Sequence, residues 1–298
     1  MPTLRLTPWK LLALTALCTR ATAQQAPTTN AAADIPVFVV RGSPTLQEEA
    51  PVGPYQQPDW TTERRFPTTR VYLQAEPWAV AVEQWVRSKF DDGERGRHRI
   101  QQEVEIGLPY RMQADLYVNS EMQSDSTWYY DNFAAELRYA FADWGKLPLN
   151  PAVYGEYKFK DSGPDVAEAK LLLGDVIGGV WNWGANAAFE WDLGGSEKTE
   201  EYAVALAVGR AVIDRKLSLG LEALYASESV KGDRGNPEES LNIGPSLQWR
   251  PTPKSHLDLV VMPGLTDDAP DWLTFLVFGF DIGSLEEHGL VPRGLESK

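Results

Sequence analysis

The chain has 298 residues, of which 43% are hydrophobic and 11% aromatic, and its formal net charge is −14. This composition excludes a wholly disordered chain, and the negative charge argues against a nucleic-acid partner, because phosphate binding requires a positive surface. The single cysteine, Cys18, and only three histidines exclude a disulfide framework and argue against an iron–sulfur cofactor or a metal site. We therefore expect no cofactor, no metal and no nucleic acid.

The first 23 residues have the pattern of a cleavable export signal. Arg5 and Lys10 give a positive start, Leu11–Cys18 is a short apolar core, and Ala21-Thr22-Ala23 is a small-x-small cleavage site. The apolar run is too short to cross a bilayer, which takes about 20 residues. The sequence predicts cleavage near Ala23, and the alternative is a buried N-terminal helix.

Residues 24–77 form a leader rich in proline, glutamine and threonine. Six prolines between Pro36 and Pro67 interrupt any regular element. The sequence predicts a largely extended periplasmic segment with one short strand at Val37–Val40. At the other end of the chain, residues 283–298 form a C-terminal tail.

From Trp78 onward, apolar and polar residues alternate in runs of about ten. The clearest run has Trp181, Trp183 and Phe189 on one face and Asn182 on the other. A helix would scatter these rings around its circumference, whereas a strand places alternate side chains on one face. The pattern predicts twelve strands, at 78–90, 98–107, 111–119, 128–142, 151–159, 166–177, 180–192, 200–210, 216–228, 240–250, 256–263 and 272–282.

The connections between these predicted strands alternate as well. Those after the even-numbered strands are short, such as Gly178-Gly179, and those after the odd-numbered strands are polar and charged, such as Val230–Glu239. This asymmetry is typical of outer-membrane barrels, whose backbone groups pair internally because the sheet closes on itself. We predict an all-β, transmembrane, antiparallel up-and-down barrel over residues 78–282, with both termini in the periplasm. A soluble exported β-sandwich is the alternative.

Aromatic residues recur near the ends of the predicted strands. Amphipathic rings settle at the headgroup level of a bilayer, so the recurrence predicts two girdles at the membrane interfaces. The barrel would then contact outer-membrane lipid and lipopolysaccharide after insertion by the barrel-assembly machinery. The predicted interface aromatics are Trp78, Trp128, Tyr129, Trp181, Trp191, Tyr202, Tyr225, Trp249 and Trp272.

If the apolar faces point to lipid, the alternate residues line the lumen. We expect their opposite charges to pair in ladders across neighbouring strands. Such pairs would either form a charged constriction in a conduit or fill the barrel as a plug. The predicted lumen residues are Glu83, Arg87, Lys89, Arg99, Glu103, Glu105, Arg111, Asp115, Glu136, Arg138, Glu156, Lys158, Glu168, Lys170, Glu190, Glu201, Glu222, Arg250 and Asp258.

Enzyme signatures are weak. The phospholipase type of barrel needs a histidine and a serine on one strand, but His98 is followed by Arg99, and Ser255 precedes His256 and so points to the opposite face. The chain also lacks a P-loop and a dinucleotide fingerprint. We predict that the protein is not an enzyme.

Two segments, Glu76–Trp85 and Gln102–Tyr117, resemble the opening of exported barrels in the "MetA-pathway of phenol degradation" family. In that family an entry strand is followed by an E-x-E-x-G-L-x-x-R-x-Q-x-x-L-Y hairpin, which here begins at Glu103. The resemblance extends over about 76–282 and concerns strand and turn residues. It implies an outer-membrane barrel that passes small, aromatic or hydrophobic compounds.

Three functional hypotheses follow from the sequence. The first is an outer-membrane barrel that passes or imports small solutes through a narrow charged lumen. The second is a structural or binding barrel whose lumen is plugged by charge pairs or by the leader. The third is a soluble exported β-sandwich that binds a ligand.

Overall fold

The computed structural model of the chain describes residues 46–93, 96–122 and 127–285. The predicted export signal, the leader up to residue 45 with its Val37–Val40 strand, and the tail beyond residue 285 lie outside these ranges. No helix within them is long and apolar enough to cross a bilayer.

Twelve antiparallel strands close into a barrel in simple up-and-down order, because the last strand pairs with the first barrel strand. The predicted fold class and strand count are confirmed, with strand ends within three residues of the expected positions. A two-sheet sandwich is therefore wrong. The barrel strands are β3 (Ala79–Phe90), β4 (Arg97–Leu108), β5 (Met112–Met122), β6 (Trp128–Ala140), β7 (Ala152–Lys160), β8 (Val166–Ile177), β9 (Trp181–Asp192), β10 (Thr199–Ile213), β11 (Leu217–Val230), β12 (Glu238–Thr252), β13 (Ser255–Pro263) and β14 (Trp272–Ser284).

The barrel has two chemically different ends. We call one the turn end, where the connections after β4, β8, β10 and β12 are tight and where the barrel both begins and finishes. The opposite end, called the loop end, carries connections such as 193–198 and 231–237. Between the ends, outward apolar side chains are exposed, including Leu137 and Leu206 at 50% each. An apolar belt on a sheet without free edges is suited to hydrocarbon.

The described part of the leader lies inside the barrel, as the second functional hypothesis considered, and not as a largely extended periplasmic segment. We call residues 46–78 the plug. It contains two short strands, β1 (Pro51–Val52) and β2 (Gln57–Pro58), which pair with each other, and two 3₁₀ turns, Gln47–Glu49 and Asp59–Thr61. Its prolines suit this location, because proline has no N–H group that would need a buried acceptor.

Two pairs of glycines on the inner wall, which we call the glycine seats, leave room for plug side chains because they carry no side chain of their own. Gly174 and Gly184 are partners across β8 and β9, and a Cβ atom added to either would lie within 2.7 Å of a Val71 methyl carbon. Gly209 and Gly220, partners across β10 and β11, seat the Phe66 ring in the same manner. Any larger wall residue at these positions would collide with the plug.

The hydrophobic core of the molecule lies inside the barrel, between the plug and the wall. Trp60 and Tyr72 of the plug pack edge-on against Trp144 of the β6–β7 connection, with ring centroids 6.0 Å and 5.3 Å apart. The Tyr72 hydroxyl donates to the Ala142 carbonyl at 2.7 Å. The plug is thus anchored to the turn end by aromatic packing.

Candidate functional site: the plugged lumen

Amide side chains of the wall form hydrogen bonds with backbone N–H and C=O groups of the plug, which has little regular secondary structure. Asn186 accepts a hydrogen bond from the Arg70 backbone N–H (2.8 Å) and donates one to the Arg70 carbonyl (2.7 Å). The Gln113 side-chain oxygen accepts from the N–H groups of Gln74 (2.8 Å) and Ala75 (3.1 Å). These contacts replace the sheet hydrogen bonds that the plug does not make, so its backbone is buried at low cost.

Two plug arginines bind acids of the barrel wall. Arg64, with a side chain 2% exposed, lies 2.8 Å from Glu83 and 3.0 Å from Glu105. Arg70 lies 3.2 Å from Glu103. Removing one partner from a buried charge pair leaves the other uncompensated, so these contacts strongly favour the docked plug.

An indole ring completes the binding site for these guanidinium groups. The Arg64 Cζ atom lies 4.2 Å from the centroid of the Trp85 ring, and the Arg70 Cζ atom lies 5.7 Å from it. The Trp85 Nε1–H group donates to Glu83 at 2.9 Å. Carboxylates and an aromatic face together are a favourable environment for a cation.

A third plug arginine, Arg65, joins the beginning of the plug to the wall. It forms a two-point contact with Glu48, the closer distance being 2.9 Å, and donates to Asn182 of β9 at 2.7 Å. It also donates to Gln248 of β12 at 3.1 Å. Arg65 therefore holds the first 3₁₀ turn of the plug against two distant strands.

The most unusual feature of the wall is a row of carboxylates in direct cross-strand register. Each member is the partner of the next on the neighbouring strand, so the row crosses nine consecutive strands. Because the strands are tilted and staggered, it rises from the turn end at β4 to the loop end at β12. Like charges placed directly opposite destabilise a sheet unless they are compensated. The row is Glu105, Asp115, Glu136, Glu156, Glu168, Glu190, Glu201, Glu228 and Glu238.

Compensation of this row comes both from within strands and across strands. The predicted pairing of opposite charges on neighbouring strands is present between Arg138 of β6 and Asp115 of β5 at 3.1 Å, and Lys158 also pairs with Glu190 of β9, but the direct cross-strand partners within the row are like charges. Bases two residues away on the same strand share the inward face and reach back to the row. Arg70 of the plug adds a weaker contact, 3.8 Å from Glu136. The within-strand pairs are Arg138 with Glu136 at 2.7 Å, Lys158 with Glu156 at 3.5 Å, and Lys170 with Glu168 at 3.0 Å.

The plug lies between cavities at the two ends of the lumen. The turn-end cavity has a volume of about 620 Å³ and is lined by plug residues such as Glu63 and by wall residues such as Arg250. Two smaller cavities of about 180 Å³ and 160 Å³ lie at the loop end and share Arg87 and Phe275 in their walls. Space for solute therefore exists on both sides of the plug.

Nearly all predicted lumen residues lie on inward-facing positions of their strands. Arg111 is different, because the tight turn after β4 gives it a positive φ of 61° and places its guanidinium 3.4 Å from Asp143, at the rim of the turn end. The inward residues are Glu83, Arg87, Lys89, Arg99, Glu103, Glu105, Asp115, Glu136, Arg138, Glu156, Lys158, Glu168, Lys170, Glu190, Glu201, Glu222, Arg250 and Asp258.

The predicted interface aromatics lie at both ends of the barrel. Trp78, Trp181 and Trp249 lie at the turn end, where Trp181 is 43% and Trp249 48% exposed. Tyr129 does not belong to the outer girdle, because its hydroxyl donates at 2.8 Å to the inward-facing Glu121. The remaining loop-end residues on outward positions are Trp128, Trp191, Tyr202, Tyr225 and Trp272.

One inward residue that the sequence reasoning missed is His256. Its Nδ1 lies 2.5 Å from Asp258 and its Nε2 lies 3.5 Å from Glu83. Gly279 on β14 leaves room for the ring, since an added Cβ atom would lie 1.9 Å from Nε2. The sequence spacing could have indicated it, because His256 is two residues from Asp258 and side chains two residues apart on a strand lie on the same face.

The plug carries a carboxyl group whose ionisation is unfavourable. Burial raises the pKa of Glu63 to about 7, although the positive charges of Arg250 and His256 act in the opposite direction. Arg250 pairs with Glu63, but the Glu63 Oε2 atom has no hydrogen-bond partner among the described residues. Glu63 therefore titrates near neutral pH when the plug is docked.

Two groups of carboxylates are close enough to hold a cation. In each group the oxygen atoms lie within 4.8 Å of one another, and Glu103 belongs to both, with Glu83 and Glu105 in one and Asp115 and Glu136 in the other. In the structure the negative charges of these acids are compensated by ion pairs with arginine side chains of the plug and of β6. The donor set thus suits guanidinium groups.

The strongest histidine–serine contact lies on the outside of the barrel. His98 Nδ1 is 2.7 Å from Ser88 Oγ, and both occupy outward positions of β3 and β4, where Ser88 and His98 are cross-strand partners. Within the part of the chain that the structure describes, no hydrogen bond to His98 Nε2 is found that would orient the ring as a general base.

Comparison with known families supports the sequence resemblance. A family model described as "Putative MetA-pathway of phenol degradation" matches residues 175–281. This confirms the predicted resemblance, although the match covers the second half of the barrel and the quoted hairpin lies in the first. No curated protein matches the chain.

Solved structures that align with the chain include bacterial outer-membrane proteins. A crystal structure of an outer membrane channel from Pseudomonas putida F1 aligns with a TM-score of 0.50 at 12% identity, over 70% of this chain and 97% of that one. The NanC porin aligns with a TM-score of 0.45 at 15% identity, over 68% and 98% of the two chains. At such identity the first alignment establishes the fold alone, which is that of an outer-membrane β-barrel.

Proposed function

We propose that the protein is an outer-membrane channel for small solutes, closed by its own plug. The loop end faces outward, both termini lie in the periplasm, and the barrel is inserted by the barrel-assembly machinery among lipid and lipopolysaccharide. The observation that carries the proposal is that the plug separates a cavity of about 620 Å³ at the turn end from the cavities at the loop end. Its role is transport and not catalysis.

The plug is built as a removable element. It contributes no strand to the barrel, whose hydrogen-bonded wall is complete without it. Its contacts with the wall combine apolar packing with ion pairs and amide hydrogen bonds, and water can replace the polar contacts. Withdrawal would therefore leave a closed barrel with a hydrated, charged lumen.

The lining of the lumen sets the class of solute. The loop-end cavities, at about 180 Å³ and 160 Å³, admit only small molecules. Arginine, lysine and glutamate side chains dominate their walls, so charged or polar solutes are favoured over the hydrophobic compounds implied by the family resemblance.

A second candidate function is a structural barrel that never opens. The buried network around Arg138 favours it, because this side chain is fully buried and contacts both Asp115 (3.1 Å) and Glu136 (2.7 Å). A network of this kind rigidifies a barrel whether or not solute passes.

Planar-bilayer recordings on the refolded protein decide between these candidates. The full chain should show a closed state with brief openings, and the double variant Arg64→Gln/Arg70→Gln should conduct steadily because its plug loses six ion-pair contacts with wall acids. Arg97→Gln, which removes an exposed pair with Asp91, is the matched control and should behave like the parent. Absence of current from every variant would favour the structural barrel.

A further inference from the structure

The smaller loop-end cavity, which we call the outer pocket, carries opposite charges on separate walls. Arg87 and Lys89 of β3 line one side, and Glu201, Glu228 and Glu238 of β10, β11 and β12 line another. Strands β13 and β14 stand between the two groups along the wall. The three acids are the loop-end stretch of the carboxylate row.

These five side chains form no ion pair within the part of the chain that the structure describes. Among the residues that the structure describes, none of them has an oppositely charged nitrogen or oxygen within 4.0 Å, whereas Arg99 nearby pairs with Glu121 and Asp131. Arg87 is instead the cross-strand partner of Arg99, a like charge. Arg87, Lys89 and Glu201 are half-buried, whereas Glu228 and Glu238 are exposed. Half-buried charges without an ion-pair partner are partly desolvated, which is unfavourable unless a ligand supplies the opposite charge.

We propose that the outer pocket binds a small zwitterion of the amino-acid type, a proposal that rests on the channel function and names its solute. The carboxylate of the ligand is received by Arg87 and Lys89, since the guanidinium fork matches a carboxylate in two-point geometry. The ammonium group is received by Glu201 and its neighbours on the row. A ligand with both charges contacts the basic and the acidic side chains, which are too far apart to form ion pairs with each other.

The remaining walls agree with a ligand that has a short apolar body. Leu224, Leu273 and Phe275 also line the outer pocket, and they pack together as part of one hydrophobic cluster. At about 160 Å³ the cavity is smaller than the range of about 300–1,000 Å³ that is usual for drug-sized ligands. A compact amino acid suits this space better than a peptide or a sugar chain does.

Isothermal titration of the full-length protein in a non-ionic detergent tests the proposal with three matched probes. Alanine carries both charges, propionate lacks the ammonium group, and ethylamine lacks the carboxylate. Alanine should bind at least about tenfold more tightly than either fragment, because each fragment leaves one wall without its partner. Equal binding of propionate and alanine, or no binding of alanine, would overturn the proposal.

Variants then locate the site. Arg87→Gln and Glu201→Gln should each weaken alanine binding about tenfold or more, since each removes one charge-assisted partner. Glu200→Gln is the matched control for Glu201, because Glu200 lies on the opposite face and pairs with Arg234 at 2.8 Å. Arg210→Gln is the control for Arg87, because Arg210 is exposed on the outward face of β10, over the Trp181 ring at the turn end. Undiminished binding in both pocket variants would place the ligand elsewhere and refute the assignment.

The two proposals fail independently. The three-probe comparison on the unmodified protein decides the ligand class even where a variant does not fold. Alanine binding without any ionic current would refute the channel and leave the outer pocket standing. Current through the Arg64→Gln/Arg70→Gln variant, together with no preference for alanine, would refute the pocket and leave the channel standing.

Discussion

At the scale of single residues, the fully buried Arg138 is the most sensitive position. Its guanidinium contacts Asp115 and Glu136 and also donates to the Tyr72 carbonyl of the plug at 3.3 Å. Arg138→Met fills a similar volume but leaves the buried Asp115 uncompensated and leaves Glu136 with only its 3.8 Å contact to Arg70. We expect the free energy of unfolding to fall by about 3–5 kcal/mol.

Urea unfolding in lipid vesicles, followed by the heat-modifiable mobility of the barrel on gels, measures this change. Arg97→Met is the control, because its exposed ion pair with Asp91 is worth at most about 1 kcal/mol. A loss below 1 kcal/mol for Arg138→Met would mean that the Arg138 network does not support the barrel.

Glu63 gives the docked plug a defined dependence on pH. Its folded-state pKa, about 7, is above the ordinary value of 4.5, so its contribution to stability is present below pH 4.5 and is lost as the pH rises through about 7. The shift corresponds to about 3 kcal/mol at full ionisation. Because glutamine imitates the protonated carboxyl, Glu63→Gln should match the parent at pH 4.5 and be more stable by up to this amount at pH 9.

The comparison of the parent with Glu63→Gln at each pH cancels the titration of the other carboxyl groups. Protection of the plug from a protease added at the turn end is a suitable readout, since cleavage follows release. A stability difference that does not change between pH 4.5 and pH 9 would show that Glu63 keeps an ordinary pKa when the plug is docked.

At the scale of structural elements, the glycine seats decide whether the plug docks. Gly184→Leu places a side chain where Val71 and Thr69 of the plug now lie, 2.7 Å and 2.9 Å from an added Cβ atom. The plug must then move, and we expect the variant to conduct steadily in planar bilayers. Gly155→Leu, where an added Cβ atom meets nothing within 4 Å, should keep the closed state.

The outcome for Gly184→Leu separates a mobile plug from a rigid one. If the barrel unfolds and no current appears, the plug is an integral part of the folded core. If the barrel folds and the current equals that of the parent, the plug is not what closes the lumen.

The barrel strands could be predicted from the sequence, whereas the path and the contacts of the plug could not, for a physical reason. Each strand has a period of two, because one face contacts apolar surroundings and the other the lumen. The plug has no period, since its contacts are single amide and ion-pair contacts with distant strands, such as Arg64 with Glu83 and Glu105. The available signal was electrostatic: the predicted lumen had more acids than bases, and the leader contains Arg64, Arg65 and Arg70.

Cross-strand register could not be predicted either. Alternation places Glu136, Glu156 and Glu168 on the inner face, but the tilt and stagger of the strands decide which side chains become neighbours. Register makes these acids direct partners, whereas the sequence alone suggests that acids face bases. Alternation therefore predicts which residues face inward, whereas the contacts between them depend on the register.

At the scale of the whole molecule, the carboxylate row has three stretches, which differ in whether, and by which positive groups, their negative charge is compensated. At the turn end the positive charge comes from the plug and Arg138, and in the middle it comes from Lys158 and Lys170. At the loop end, the described residues supply no ion pair to Glu201, and the outer pocket lies there. A solute entering from the loop end thus meets unpaired charge before it meets the plug, which suits a site of entry.

The outward apolar belt makes a depth-dependent prediction about the membrane. Leu206 lies at the middle of β10 and is 50% exposed, and Val212 lies on the same outward face near the turn end and is 57% exposed. If this face contacts hydrocarbon, Leu206→Arg should reduce the free energy of folding into vesicles by about 2–4 kcal/mol, and Val212→Arg by only about 0–1 kcal/mol. Urea titration of the vesicle-folded variants measures both values. Equal and small costs at the two depths would show that this face is in water, and the membrane-embedded barrel would then be refuted together with the channel.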